Sequence, residues 1–162
     1  MKRAWKFKMG KGIYSLALSG KLLYAGSDDG NLYALSLSDG TEAWKYDTGA
    51  AVRCNPLFIR QVAYFGNEEG QFFALGAEKG DLKWKKRLEG ALRATPLEMN
   101  EKIWAVTARG MFFRLDPSNG NTEDFLSLGS GVCRAFFSFR KKAYACSDDG
   151  FVYVLAEKEV RH

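Results

Sequence analysis

The sequence predicts an all-β protein, a β-propeller of four-stranded antiparallel blades, and three observations support this prediction. First, four ten-residue segments recur at a constant 40-residue spacing: KLLYAGSDDG (21–30), QVAYFGNEEG (61–70), EKIWAVTARG (101–110) and KKAYACSDDG (141–150). Second, aromatic residues make up 14% of the 162-residue chain, which favours strands over helices. Third, each repeat contains short apolar runs bounded by turn residues, and four strands in about 40 residues form one propeller blade.

The strands of each repeat follow from its turn residues. Those of the first copy, with counterparts at 40-residue steps, are expected near 13–19, 21–27, 31–37 and 42–47. The glycine that ends each recurring segment supplies the positive φ of a tight hairpin. The innermost strands of the second and third copies are predicted at 52–58 and 92–98. Their prolines, Pro56 and Pro96, are compatible with a strand whose inner edge is unpaired.

The whole chain, residues 1–162, is predicted to be a single domain whose four repeats lie at about 12–49, 50–89, 90–129 and 130–156. The last repeat has no outer strand of its own. Residues 4–9, AWKFKM, resemble the tryptophan-bearing outer strands of the other repeats. We therefore expect residues 4–9 to complete the last blade, which leaves no sheet edge exposed.

A recurring alanine, glycine and tryptophan mark the outer hairpin of the first two repeats. Ala34, Gly40 and Trp44 stand in the same frame as Ala74, Gly80 and Trp84. This frame resembles the tryptophan-docking motif Ala-x-Asp-x-x-Thr-Gly-x-x-x-Trp of the PQQ-like, or quinoprotein-type, repeat family. The third copy keeps Asp116 and Gly120, but it has Arg114 for the alanine and Asp124 beside Phe125 for the tryptophan.

The resemblance implies a structural role for the docked tryptophans, which lock neighbouring blades in that family. By this resemblance Trp5, Trp44 and Trp84 are blade-docking residues. Family members that bind pyrroloquinoline quinone are dehydrogenases with a Ca²⁺ site and often a vicinal pair of cysteines. This chain has no adjacent cysteines, and its one histidine is the terminal residue His162. We therefore expect a chain that is not an enzyme, with no catalytic residues, no cofactor and no metal site.

The acidic pairs that precede the hairpin glycines are interpreted as turn residues. These pairs are Asp28/Asp29, Glu68/Glu69 and Asp148/Asp149. Asp and Glu beside Gly are typical of hairpin apices, and no loop here spaces its oxygen ligands as a dedicated Ca²⁺ site requires.

Arginines on the inner strands form the one candidate ligand site. Arg53 and Arg93 occupy equivalent positions, and Arg134 lies one residue further along its repeat. Inner strands line the channel of a propeller, so these side chains could present forked donors to a carboxylate or phosphate at the channel mouth. Asn55 and Thr95 are expected to point to the same side. The alternative is that the arginines solvate the channel end or pair with nearby acids.

Charge and cysteine content restrict the compartment and the partners. The net charge of +5 is scattered along the chain, and no dedicated nucleic-acid motif is present. No apolar run is long enough for a membrane span, and no signal peptide is seen, so the chain as given is expected in the cytoplasm, or outside it if cut from a longer protein. Cys54, Cys133 and Cys146 are expected to be buried free thiols.

These observations favour a non-catalytic propeller that binds a protein segment or a small anion, or that acts as a scaffold. The alternatives are a fragment or vestigial domain of a PQQ-dependent dehydrogenase and the sensor domain of a larger signalling protein. Two copies could join into an eight-bladed homodimeric ring, because PQQ-like repeats usually form rings of seven or eight blades. A closed four-bladed monomer and a fragment whose other blades lie elsewhere remain open.

Overall fold

The computed structural model describes residues 4–129 and 131–156, without the side chains of residues 132–134. In these residues it contains fifteen strands and no helix, and therefore no helix that could cross a membrane. The strands are β1 (Ile13–Ser19), β2 (Leu22–Ser27), β3 (Asn31–Ser36), β4 (Glu42–Asp47), β5 (Leu57–Ile59), β6 (Val62–Gly66), β7 (Gln71–Gly76), β8 (Leu82–Arg87), β9 (Leu97–Met99), β10 (Lys102–Val106), β11 (Met111–Leu115), β12 (Thr122–Ser127), β13 (Val132–Phe139), β14 (Lys142–Ser147) and β15 (Val152–Ala156).

The strands form four antiparallel sheets, each a simple meander, and these are the four blades. Blade 1 is β1–β4, blade 2 is β5–β8 and blade 3 is β9–β12, while blade 4 contains β13–β15. The first strand of each blade is the innermost, and the last is outermost. The prediction of an all-β propeller of four repeats is confirmed.

The blades have two ends, which we call the upper and lower faces. The upper face carries the turns at 28–30, 68–70, 108–110 and 148–150, and the lower face carries the hairpins at 20–21, 60–61, 100–101 and 140–141. The hairpin at 60–61 has positive φ at both Arg60 and Gln61, as a type I′ turn requires. Two left-handed residues in succession match the right-handed twist of the flanking strands.

The inner strands of blades 2 and 3 are shorter than predicted. Instead of 52–58 and 92–98, the paired segments are the three-residue strands β5 and β9, which start directly after Pro56 and Pro96. Proline has no N–H to donate to the neighbouring strand, so pairing begins only beyond it.

The hydrophobic core lies between the blades. Tyr24 and Leu32 of blade 1 pack with Phe65 and Phe73 of blade 2, and equivalent clusters join blade 2 to blade 3 and blade 3 to blade 4. Each blade therefore has a trailing face toward the previous blade and a leading face toward the next. Stacking of flat sheets in sequence is what gives a repeat protein a continuous core.

The two ends of the array leave apolar faces exposed. On the leading face of blade 4, Val152 is 69% exposed, whereas the equivalent Phe112 of blade 3 is 1% exposed. Phe137, Phe139 and Val154 are also exposed on that face. On the trailing face of blade 1, Leu16 and Leu18 of the inner strand are exposed. The array is therefore open at its two ends.

Residues 4–9 are not part of a strand in this structure, but they are packed on the trailing face of blade 1. Trp5, Phe7 and Met9 contact the core residues Tyr33 and Leu35. Among the described residues, β15 has no neighbour on its outer side. The expectation that residues 4–9 complete the last blade stays a prediction.

Candidate functional site

Arg53, on the upper face of blade 2, contacts blade 1. Its Nε donates to Asp28 Oδ1 over 2.8 Å and its Nη2 donates to Asp28 Oδ2 over 3.1 Å. The guanidinium also lies over the ring of Tyr14, 4.9 Å from the centroid. The hydrogen bond from Arg53 is the main reason that the pKa of Asp28 is lowered. The forked pair joins the two blades in one fixed orientation.

Arg93 repeats this arrangement one blade further on. Its Nη2 donates to Glu68 Oε2 over 2.8 Å, and its Nε lies within hydrogen-bonding distance of both oxygens of that carboxylate. The hydrogen bond to Glu68 raises the pKa of Arg93. The carboxylate again belongs to the upper turn of the previous blade. Both arginines are thus engaged with an acid, yet each keeps N–H groups of its fork for a further acceptor.

The other predicted ligand residues do not share one arrangement, as Arg53 and Arg93 do. Asn55 Oδ1 accepts a hydrogen bond from the backbone N–H of Leu16 over 3.0 Å, so it faces the inner strand of blade 1, as Arg53 does. Thr95 is half-buried on the inner segment of blade 3. The side chain of Arg134 lies outside the described residues. A ligand-binding role for Arg53, Arg93, Arg134, Asn55 and Thr95 stays a prediction.

Three tryptophans lie over glycines of the following blade with one shared geometry. A Cβ placed at Gly40, Gly80 or Gly120 would lie 2.5, 2.7 or 2.6 Å from an indole carbon of Trp5, Trp44 or Trp84, respectively. The indole N–H groups donate to backbone oxygens of Leu37, Ala77 and Pro117 over 3.2, 3.0 and 3.0 Å. The glycines have φ between 71° and 77°. Only glycine satisfies both the left-handed backbone and the contact with the ring.

The alanines of the motif face the tryptophans across the outer hairpin. Ala34 pairs with Trp44 and Ala74 pairs with Trp84, and both alanines are fully buried. In blade 3 the same cross-strand position holds Arg114 opposite Asp124, and Arg114 also pairs with Glu123. Blade 3 therefore has a carboxylate where blades 1 and 2 place an indole.

Only some acids of the upper turns hold their turns: Asp29 does so, whereas Asp28 and Glu68 pair with the arginines of the next blade. Asp29 Oδ1 accepts from the backbone N–H of Asn31 over 3.0 Å, and Asp29 Oδ2 accepts from the Tyr33 hydroxyl over 2.7 Å. Burial and the contact with Asp29 raise the pKa of Tyr33 to about 12. Within the described residues no group of three or more His, Cys, Asp or Glu side chains could hold a metal ion.

The cysteines differ from the expectation of three free thiols. Cys54 is a buried free thiol, and burial raises its pKa to about 11. Cys146, in contrast, is disulfide-bonded, so the expectation was wrong for this residue. An odd cysteine count and the lack of a recognised spacing gave no sign of a pairing. The side chain of Cys133 lies outside the described residues.

Sequence reasoning missed a groove on the lower face between blades 2 and 3. The groove has a volume of about 530 Å³, and the residues that matter to its chemistry are Arg60, Tyr64, Trp84, Glu98, Glu101 and Asp116. Aligning the repeats at 40-residue steps places Leu18, Phe58, Glu98 and Ser138 at one position. Only the third copy has a charge there. The charge at this position of the third repeat was the sequence signal that could have identified the groove.

The chain resembles known propellers in sequence and in structure. A family model of PQQ-type repeats, described as outer membrane protein assembly factor BamB, matches residues 48–123. Among curated proteins, none matches the chain by sequence.

Solved structures with this fold include natural and designed proteins. BamB from Moraxella catarrhalis is 19% identical with a TM-score of 0.81, and the match covers 94% of this chain and 49% of that one. The designed protein Ika8 is 17% identical with a TM-score of 0.84, covering 95% and 49%, respectively. The designed protein Ika4 is 16% identical with a TM-score of 0.85, covering 96% and 98%. The chain thus spans about half the length of two of these structures. The blade topology and these structural matches identify the fold as a β-propeller, and residues 48–123 match a model of PQQ-like repeats.

Proposed function

We propose that two copies of the chain join head to tail into an eight-bladed ring, and that this ring is a non-catalytic scaffold that binds a protein segment. The observation that carries the proposal is the pair of exposed apolar faces at the two ends of the array. Phe137 and Val152 of blade 4 are exposed, as is Leu16 of blade 1. Residues at equivalent positions inside the array are covered by a neighbouring blade, so each end has the surface of an unformed blade interface.

The packing of residues 4–9 supports a second copy as the occupant. Trp5 lies on Gly40 as Trp44 lies on Gly80, so residues 4–9 occupy the place of the outer strand of a preceding blade. In blade 4 that outer strand is missing among the described residues, and β15 presents a free edge. Joining two copies would bring residues 4–9 of each against β15 of the other. The free edge would then be paired and both apolar faces would be covered.

The curvature of the four-blade array supports a ring of eight blades. The whole chain superposes on 49% of the chain of BamB and on 49% of Ika8, with TM-scores above 0.8. A second array of equal size therefore fits the remaining half of such a ring. Head-to-tail contacts that close on themselves also avoid an open-ended polymer.

The binding role is inferred from the fold and from the use of its polar side chains. The matched family model is described as an assembly factor, a class of protein that acts on other proteins. The carboxylates of the upper turns are engaged in turn hydrogen bonds and in pairs with Arg53 and Arg93. We propose that Arg53 and Arg93, through their unused N–H groups, bind an acidic segment at the upper face, and that Asn55 and Thr95 add neutral hydrogen bonds.

Light scattering coupled to size exclusion tests the ring. We expect a mass about twice the 18.1 kDa of the chain, independent of concentration above the dissociation constant. Val152→Lys and Leu16→Lys should reduce the mass to that of one chain, because each places a charge in a closed interface. Phe125→Lys is the matched control, since Phe125 is equally exposed but lies on the outer strand of blade 3, away from both ends. A wild-type mass of one chain at all concentrations would overturn the proposal.

A further inference from the structure

The groove between blades 2 and 3 exists because one repeat differs from its neighbour. Between blades 1 and 2, Phe58 fills the equivalent place, with its ring 4.6 Å from that of Tyr24. Between blades 2 and 3 the corresponding residue is Glu98, which is exposed and lines the groove beside Tyr64. Replacement of a packed aromatic ring by a carboxylate opens a cavity and adds a negative charge to its wall.

The bottom of the groove is aromatic. Tyr64 and Trp84 lie with their ring centroids 5.7 Å apart, and both donate to the backbone oxygen of Pro117 over 3.0 Å. These two hydrogen bonds fix both rings relative to the turn of blade 3. The rings are therefore held in place before any ligand arrives, which lowers the entropic cost of binding.

The blade 3 side of the groove is acidic. It contains Glu98, Glu101 and Asp116 beside one cation, Lys102, which is paired with Asp116 and Glu123. Glu98 and Glu101 make no ion pair with another described residue. Burial raises the pKa of Tyr64, and the charges of Asp116 and Glu98 raise it further, against a smaller opposing effect of Arg60.

We propose that this groove binds an organic cation, a guanidinium or alkylammonium group, against the carboxylates of Glu98 and Glu101, with Trp84 and Tyr64 as the apolar part of the lining. Carboxylates beside an apolar wall satisfy both the charge and the hydrocarbon part of such a group. The group can belong to a side chain of a bound protein segment or to a free polyamine. The groove lies within one copy, so the site does not depend on closure of the ring.

Arg60 is the natural competitor for the site. It lines the same groove from the blade 2 side and makes no ion pair with another described residue. Lys83, the other cation on that side, is paired with Asp81 over 2.6 Å. Removing the charge of Arg60 therefore removes a repulsion that an added cation would meet in the groove.

Isothermal titration calorimetry with N-acetylarginine amide tests the proposal, with the uncharged N-acetylcitrulline amide as the matched ligand. We expect the arginine compound to bind and the citrulline compound to bind at least about tenfold more weakly. Glu98→Gln should weaken binding severalfold through charge alone. Glu98→Phe should abolish it by filling the groove as Phe58 does, and Arg60→Gln should strengthen it.

Glu89→Gln, which removes an exposed carboxylate of the upper face, is the control and should leave binding unchanged. Spermidine distinguishes the two sources: if it binds more tightly than the arginine compound, the groove is a polyamine site, and the reverse order favours a side chain. Equal binding of arginine and citrulline compounds, or binding that survives Glu98→Phe, would overturn the proposal. The mass of the particle is measured separately, so failure of the ring leaves this result intact.

Discussion

Trp44 lies over Gly80 of the next blade so closely that a Cβ at Gly80 would be 2.7 Å from the indole. The glycine has φ of 71°, and the indole N–H donates to Ala77 in the same turn. One turn therefore receives a ring and a hydrogen bond from the previous blade. The same relationship holds for Trp5 with Gly40 and for Trp84 with Gly120, so it sets the spacing of successive blades.

Gly80→Ala should destabilise the protein by about 3 kcal/mol, the sum of a left-handed backbone penalty and displacement of the indole. Gly20→Ala is the matched control. Its φ is 58°, but nothing lies within 4 Å of the added Cβ, so it should cost only about 1 kcal/mol. Urea unfolding followed by fluorescence measures both. Equal losses for the two variants would show that the contact with Trp44 contributes nothing.

Trp84→Ala should cost about 3–5 kcal/mol, because it removes a large ring from the interface of blades 2 and 3 together with the hydrogen bond to Pro117. Phe125→Ala, on the exposed edge strand of blade 3, should change the free energy of unfolding by less than about 0.5 kcal/mol. Thermal unfolding followed by circular dichroism compares the two. A Trp84 variant as stable as the Phe125 variant would contradict a docking role.

Asp116 should make stability fall at acid pH. Hydrogen bonds from Ser118, then the contact with Lys102, lower its pKa from 3.8 to about 2. A carboxyl with a lowered pKa stabilises the folded state fully above its unfolded pKa and loses this contribution as pH falls toward the folded value. We therefore expect wild type to lose stability between pH 4 and about 2 more steeply than Asp116→Asn does. Parallel curves of unfolding free energy against pH would contradict this.

Arg53 and Arg93 allow a test that separates ligand binding from blade contacts. If the upper face binds anions, the double change Arg53→Ala/Arg93→Ala should abolish binding of an acidic peptide. Asp28→Asn/Glu68→Gln should strengthen it, because it frees both guanidinium groups. Binding should also weaken with added salt. If the arginine variant loses only stability and neither pair changes peptide binding, the arginines serve only to join the blades.

The repeat made most of the fold predictable from the sequence. A turn such as Asp29-Gly30 is local, so its residues alone determine the hairpin, and a constant 40-residue spacing then places every other blade. Gly80, the glycine of the tryptophan-docking motif, could be predicted for the same reason. The inner strands were predicted to be too long because Pro56 and Pro96 prevent strand pairing up to their own positions.

The hydrogen-bond partners of the candidate site residues could not be predicted from the sequence in the same way. Arg53 pairs with Asp28 across a blade interface, and which acid it meets depends on the angle between two sheets rather than on spacing. The groove at Glu98 exists because the third repeat lacks the aromatic ring that Phe58 supplies in the second. This difference is visible only when the repeats are compared with one another. The disulfide bonding of Cys146 could not be predicted because three cysteines without a recognised spacing indicate no pairing.

Blade 3 has Asp124 opposite Arg114 where blades 1 and 2 have a tryptophan opposite an alanine, so the joint before blade 4 lacks the docked ring of the other joints. Among the described residues, blade 4 is also the blade without a fourth strand. If two copies join as proposed, blade 4 gains stability from the partner copy that covers its free side. Protein concentration would then control the folding of blade 4: dilution would loosen the last blade before any other, and assembly would tighten it.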